Sequence, residues 1–170
     1  VIDRPAHLAA DTSSEWLAWQ HAVEQLVQNN TMALDDVFIS LPATSPLRDA
    51  QDVTNALTQF IASDADLALG ITTADRSPYF NMVVQNESGL VQLVINEHQY
   101  IRRQDVPVVW DITTVFYVST ARFILENAGV LSGKTLGVFV PKERAIDIDT
   151  QYDFDIAEFL MSKKVKNENA

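Results

Sequence analysis

Short β-prone apolar runs alternate along this chain with stretches whose apolar residues recur at helical spacing, and few architectures accommodate that alternation. Asp36-Val37-Phe38-Ile39-Ser40-Leu41 and Leu67-Ala68-Leu69-Gly70-Ile71-Thr72 read as buried strands, because a strand covered on both faces is apolar without alternation. Between them, residues 49–62 place Val53, Leu57, Phe60 and Ile61 on one side of a helix. Strand, helix and strand in this order predict a parallel crossover unit and therefore an α/β sheet. A helix over 13–28 precedes it, with Trp16, Trp19, Val23, Leu26 and Val27 as its apolar stripe. Thr12 and Glu15 have capping-box spacing, Asp11 adds negative charge where the helix dipole favours it, and Asn29-Asn30 forms the stop. Further on, a helix over 120–127 running toward Gly129, a strand over 136–140 and a closing amphipathic helix over 152–164 complete the pattern. The charged end, 163–170, is expected to fray.

The middle of the chain changes character. Met82-Val83-Val84, the turn Asn86-Glu87-Ser88-Gly89 and the run 90–95 predict an antiparallel hairpin, followed by a polar stretch over 96–105. Residues 108–118 are again β-prone, interrupted at Asp111. With no repeat or flexible linker, 1–170 reads as one domain and 78–110 as an insertion within it. The net charge of −11 repels phosphate backbones and anionic lipid, so neither a nucleic acid nor a membrane surface is expected as a partner. A small anion would need a local pocket of arginines and backbone N–H groups. Cysteine is absent, which excludes thiolate nucleophiles and cysteine-based zinc sites.

Ala145-Ile146-Asp147-Ile148-Asp149-Thr150 carries the strongest local signal. Alternate residues of an extended segment point the same way, so Asp147 and Asp149 could aim two carboxylates at one magnesium ion that also takes phosphate oxygens and water. Equally, Asp149 with Thr150 could cap the final helix, and both roles could hold together. Thr44-Ser45-Pro46-Leu47-Arg48 follows directly on a strand, where α/β sheets bind ligands. Its hydroxyls and Arg48 suit phosphate or ribose, or else the loop is a proline-shaped turn with Arg48 in solvent. Arg4, the pair Arg102-Arg103 and the group Lys142-Glu143-Arg144 are the remaining cationic candidates. Gly133-Lys134-Thr135 lacks the upstream glycine of a phosphate-binding loop, Ala128 standing in its place, and reads as a turn. His7, His21 and His98 have no metal-ligand spacing.

Taken together, several segments resemble the acylneuraminate cytidylyltransferase family. They are the run from Arg4-Pro5-Ala6-His7 to Asp11-Thr12, Leu41-Pro42-Ala43-Thr44-Ser45-Pro46-Leu47-Arg48, Arg102-Arg103-Gln104-Asp105-Val106-Pro107, and Arg144-Ala145-Ile146-Asp147-Ile148-Asp149-Thr150 followed by Asp153-Phe154-Asp155. The resemblance implies a Rossmann-like, three-layer nucleotide-diphospho-sugar transferase fold with an inserted β-rich dimerisation segment. It implies transfer of CMP from CTP to a nonulosonic (sialic-type) acid, with release of pyrophosphate and a requirement for magnesium. By the same resemblance, Asp147 and Asp149 would be the catalytic metal ligands. Arg4, Asp11, Ser14, Thr44, Ser45 and Arg48 would face the nucleotide, and Arg103 and Gln104 the sugar. A homodimer and a cytoplasmic location are implied as well.

This sequence departs from the family in three places. The family opens on an A-R-x-G-S-K loop around the triphosphate; nothing here matches it, so the chain is expected to lack the first strand and most triphosphate contacts. Pro42 stands before Ala43 where a glutamine is usual, and Asp111-Ile112-Thr113-Thr114 replaces an arginine and an Asn-Gly pair near the sugar. These leave the sugar open, with an eight-carbon acid (Kdo) enzyme as one alternative and a non-catalytic dimeric scaffold as the other.

Overall fold

The computed structural model of the chain describes residues 1–10, 12–97 and 100–168. They form two compact units, one of residues 1–71 and 112–170, the other Thr72–Asp111.

The first unit is built on a four-stranded sheet in the order β1-β5-β2-β6, from β1 (Val37–Ser40), β2 (Leu67–Thr73), β5 (Trp110–Thr120) and β6 (Thr135–Phe139). β1 is antiparallel to β5, with Ser40 opposite Tyr117, and β2 is parallel to β6. Ser119 Oγ donates to the Asp66 carbonyl at 2.7 Å, while Thr113 abuts Gly70 so closely that a Cβ there would collide with its hydroxyl. Those two contacts run in opposite directions along the strands, so β5 is antiparallel to β2 as well. The expected crossover strands β1 and β2 are thus parallel, but β5 lies between them. Asp111, read as an interruption, is part of β5.

Side-chain alternation on the strands separates two apolar layers. Leu67, Leu69 and Tyr117 pack with Trp16, Trp19 and Val23 of α1 (Glu15–Gln28) and with Phe123 and Ile124 of α3 (Ala121–Glu126). On the opposite face, Ala68, Phe116, Val118 and Val138 pack with Ala56 and Phe60 of α2 (Ala50–Ile61). Helix, sheet and helix therefore form the three layers expected of a sheet whose strands are apolar on both sides. Ile61, assigned to the buried side of α2, is 68% exposed, because it occupies the helix's last residue.

Helix ends account for the other differences. α1 starts from Ser14, not Thr12, and no side chain caps it; Ser13 Oγ is engaged by the His7 carbonyl at 2.8 Å instead. Asn29 and Asn30 do end it, the latter at φ 53°. α2 has the full reciprocal capping box, between Asp49 and Asp52. α3 stops at Glu126, where Asn127 turns extended. α4 (Gln151–Glu168) continues past the expected end at 164.

The second unit holds the antiparallel hairpin β3 (Val83–Gln85) and β4 (Val91–Leu93), closed by a turn in which Gly89 takes φ 83°. The Ser77 carbonyl accepts from the N–H groups of Phe80, Asn81 and Met82, and Tyr79 meets Tyr100 edge-on at 6.2 Å.

Candidate functional site

Because β1 and β6 run parallel, the loops at their carboxyl ends leave the sheet on the same side, the usual place for a ligand in such a fold. Residues 42–48 follow β1 and 141–150 follow β6. The two loops are joined by a backbone bond, Ile148 N–H to the Thr44 carbonyl at 2.9 Å. The structure thus brings together two of the segments singled out in the sequence.

Their polar groups are used very differently. In the first loop Ser45 is fully buried and shares a 2.6 Å hydrogen bond with the Thr114 hydroxyl. Arg48 donates from Nε to the Ser45 carbonyl at 3.1 Å and from Nη2 to the Pro42 carbonyl. Burial lowers its pKa from the ordinary arginine value. Ser45 and Arg48 therefore brace the turn, and Thr44 is the exposed hydroxyl of the loop.

In the second loop Asp147 is half-buried, and its Oδ1 is buried with no hydrogen-bond partner. Leaving a buried carboxylate oxygen without a donor or a cation is costly. Asp149 is exposed; its N–H donates to Asp153 Oδ2 at 3.3 Å, while its carboxylate has no partner among the described residues. Of the pair considered for capping (Asp149 with Thr150), Thr150 takes the role, with Asp153 as its partner. Thr150 N–H and Oγ1 donate to Asp153 Oδ2 at 2.8 and 2.7 Å, and Asp153 N–H returns a bond to Thr150 Oγ1 at 3.3 Å. Those bonds hold the Asp153 carboxyl below the usual aspartate range.

The orphaned oxygen fits a magnesium ion. Among the described residues no cluster of three acidic, histidine or cysteine side chains exists to cage a metal. One or two carboxylates, with the rest of the shell from phosphate and water, is the donor set magnesium ordinarily takes at nucleotide sites.

Tyr117, which the sequence reading passed over as strand, sits opposite Ser40 at the start of this region. Its hydroxyl pKa is raised, first by burial and then by the charges of Glu15 and Asp147. Tyr117 also lines a cavity of about 260 Å³ with Ser14, Glu15, Trp16 and Trp19. Ser14, predicted to face a nucleotide, is thus beside this cavity with its side chain unused as a cap. Arg4 is exposed, and Asp11 lies outside the described residues. His98, discounted as a metal ligand, lies outside them too.

Arg103 and Gln104 belong to the other unit, where they line a cavity of about 200 Å³ together with Arg76 and Ser77. Arg103 Nη2 donates to the Asp75 carbonyl at 3.0 Å, and Arg102 pairs with Asp105 at 2.8 Å. Arg76 was missed because a lone arginine in Asp75-Arg76-Ser77-Pro78 gives no pattern. The Gly133-Lys134-Thr135 turn is occupied internally, as expected of a turn: Lys134 Nζ meets Asp64 at 2.7 Å, and its N–H meets Asp66 at 2.8 Å.

No protein-family model matches the chain. Among curated proteins, it is 32% identical over 162 residues to the post-translational flagellin modification protein B of Campylobacter coli, covering 95% of this chain and 67% of that one. It is 33% identical, with the same coverage, to the CMP-N,N'-diacetyllegionaminic acid synthase of Campylobacter jejuni. It is 27% identical over 167 residues to a Campylobacter jejuni pseudaminic acid cytidylyltransferase, covering 98% of this chain and 70% of the other. Among solved structures, a 4-diphosphocytidyl-2C-methyl-D-erythritol synthase superposes with TM-score 0.61 at 13% identity, covering 87% of this chain and 67% of that one. The CMP:2-keto-3-deoxy-manno-octonic acid synthetase complexed with CTP gives 0.58 at 14%, covering 91% and 70%. At these identities the structural likeness shows a shared fold.

Proposed function

The chain belongs to the sialic-type (acylneuraminate) cytidylyltransferase family, and from that premise we propose that it transfers a cytidylyl group from CTP to a nonulosonic acid, releasing pyrophosphate. The relatives named for legionaminic and pseudaminic acid support that class of sugar. The observation that carries the site assignment is the buried, donorless Oδ1 of Asp147, two positions from the exposed carboxylate of Asp149 at the carboxyl end of the sheet.

Asp147 and Asp149 would hold a magnesium ion. When bound, that ion offsets phosphate charge where the sugar hydroxyl displaces pyrophosphate from the α-phosphorus. Burial first, and then the charges of Glu15 and Asp147, disfavour ionisation of Tyr117. Like any tyrosine it is protonated at neutral pH, and it can donate a hydrogen bond there. Ser45 and Arg48 keep the β1 loop rigid, so that Thr44 presents its hydroxyl, while its carbonyl anchors the acidic segment. In the hairpin unit, Arg76 and Arg103 line one cavity and suit the sugar's carboxylate. The exposed valines of the hairpin, Val83 at 54% and Val91 at 60%, support a homodimer formed through that unit.

The test measures pyrophosphate released by the full-length protein with CTP, magnesium and a panel of legionaminic, pseudaminic, sialic and eight-carbon acids. Release is expected with a nine-carbon acid. Asp147→Asn and Asp149→Asn should each lower it by about 100-fold, the scale of losing one charge-stabilising contact at a reacting centre. Silence across the whole panel, or unchanged rates in both variants, would refute the assignment; release only with the eight-carbon acid would reassign the sugar.

A further inference from the structure

Asp147 lies between two anchors. One residue after it, Ile148 N–H is tied to the Thr44 carbonyl. Three residues before it, Arg144 reaches across to the start of α2, donating from Nε and Nη2 to the two oxygens of Asp52, each at 2.8 Å. Such a bidentate pair fixes orientation as well as distance. Arg144 also lies 3.3 Å from Asp49. The Asp52 side chain is 3% exposed and accepts the Asp49 N–H as well, at 3.0 Å.

Arg144 is thereby plugged into the capping box of α2, whose backbone is rigid and whose preceding residues are the braced β1 loop. The capping box closes without an arginine: the reciprocal bonds satisfy the N–H groups of Asp49 and Asp52. What Arg144 adds is a tie from the helix to the segment bearing Asp147, 92 positions along the chain from Asp52. A half-buried carboxylate whose Oδ1 has no donor would relieve its own cost by swinging out to water. With only residues 145–147 between the anchors, and Ala145 itself packed on the core and bonded to the Lys142 carbonyl, that escape is restricted.

We propose that Arg144 and Asp52 are positioning residues that hold Asp147 in its inward, metal-accepting place; this rests on the assignment of Asp147 as a metal ligand. Neither side chain is itself placed on the metal, so the expected effect is on metal affinity. Partners one step removed from a metal ligand typically change affinity by about 10- to 100-fold when lost.

Manganese binding to this chain, in the presence of CTP, is followed by the loss of the free-ion electron paramagnetic resonance signal. The parent is expected to bind and Asp147→Asn to bind far more weakly. Arg144→Gln should weaken binding by about 10-fold or more, with Arg144→Lys between it and the parent. Val23→Ala, which opens a cavity beside α1 and touches neither anchor, should lose thermal stability yet keep the parent's affinity. Because Arg144→Gln leaves Asp52 buried without its counter-charge, the double variant Arg144→Gln with Asp52→Asn supplies a folded alternative, and it should show the same weakening. If both Arg144 variants and the double variant match Val23→Ala within about twofold, well short of that loss, the pair is structural only and the proposal fails. If the parent binds no manganese, or Asp147→Asn binds like the parent, the metal assignment itself falls and takes the proposal with it.

Discussion

In the sheet unit Val115, Phe116 and Val118 are wholly buried, whereas in the hairpin unit Val83, Leu90 and Val91 stand 54%, 69% and 60% exposed. The first unit has two apolar layers and closes its own core. The second is ordered by backbone turns around Ser77, one tyrosine pair and a hairpin of two three-residue strands. Short two-stranded hairpins are marginal in water without something packed on them. The contrast separates folding from association: the sheet unit's apolar residues hold the chain together, and the hairpin's are available to something else.

The largest test of that contrast is a core truncation. Phe116 has no exposed surface and sits among Ala56, Phe60 and Val138 under α2. Phe116→Ala is expected to cost about 3–5 kcal/mol, from lost burial and the cavity left behind, read as a fall in the urea midpoint at unchanged slope. A loss under about 1 kcal/mol, far below that range, would mean the layer is not the packed core described.

A smaller effect concerns the polar anchor at the edge of the same core. Burial alone would raise the Asp52 carboxyl, but the hydrogen bonds and charge of Arg144, with the Asp49 N–H, outweigh it and leave its pKa below the ordinary 3.8. A carboxyl depressed in the folded state contributes stability that is fully present above its unfolded pKa and is lost as pH falls through the folded value. Stability should therefore decline on acidification below about pH 4. Asp52→Asn, already weaker at neutral pH, should decline less over the same window. Asp64 and Asp153 are depressed by exposed partners and remain in both proteins, so the difference between the two curves isolates Asp52. Parallel acid limbs would show that the Arg144 pair contributes nothing to folding.

How much of this was legible varied with sequence distance. The strands of the sheet unit were readable because continuous apolar runs have no other stable home, and the Asp49 cap and Asn29-Asn30 stop are local chemistry. The order of the strands was not: β5 enters between β1 and β2 only after the chain has left for the hairpin unit and returned, and nothing in 36–72 announces it. Within the site, Asp147 was visible as half of an acidic pair, but its tie through Arg144 to Asp52 spans 92 positions. An arginine beside prolines, like Arg48, reads the same whether loop carbonyls or a ligand receive it. The Thr150-to-Asp153 cap, by contrast, was readable at capping-box spacing; Thr150 was named but paired with Asp149, and Asp153 was overlooked.

The smallest expected effect on folding, and the sharpest probe of the contrast, lies on the hairpin. The register sets Val83 opposite Leu93 and Gln85 opposite Val91, so Val83, Leu93 and Val91 share one face while Val84 points to the other. Replacing Val83 and Val91 together by serine removes two exposed methyl pairs from that face without opening a cavity. Little apolar area leaves a buried environment, so the urea midpoint at concentrations below association should move by less than about 0.5 kcal/mol, as is usual for surface changes. If the face is where a second copy of the chain sits, the same double variant should lower the sedimentation-derived dimer population markedly at concentrations where the parent associates. Val84→Ser, on the opposite face, serves as the internal control and should leave association alone. An unchanged dimer in the double variant, or a parent that stays monomeric throughout, would remove the hairpin as an interface. A large loss of stability instead would show that those valines are already packed in the single chain, and the distinction between a unit that folds and a unit that associates would fail.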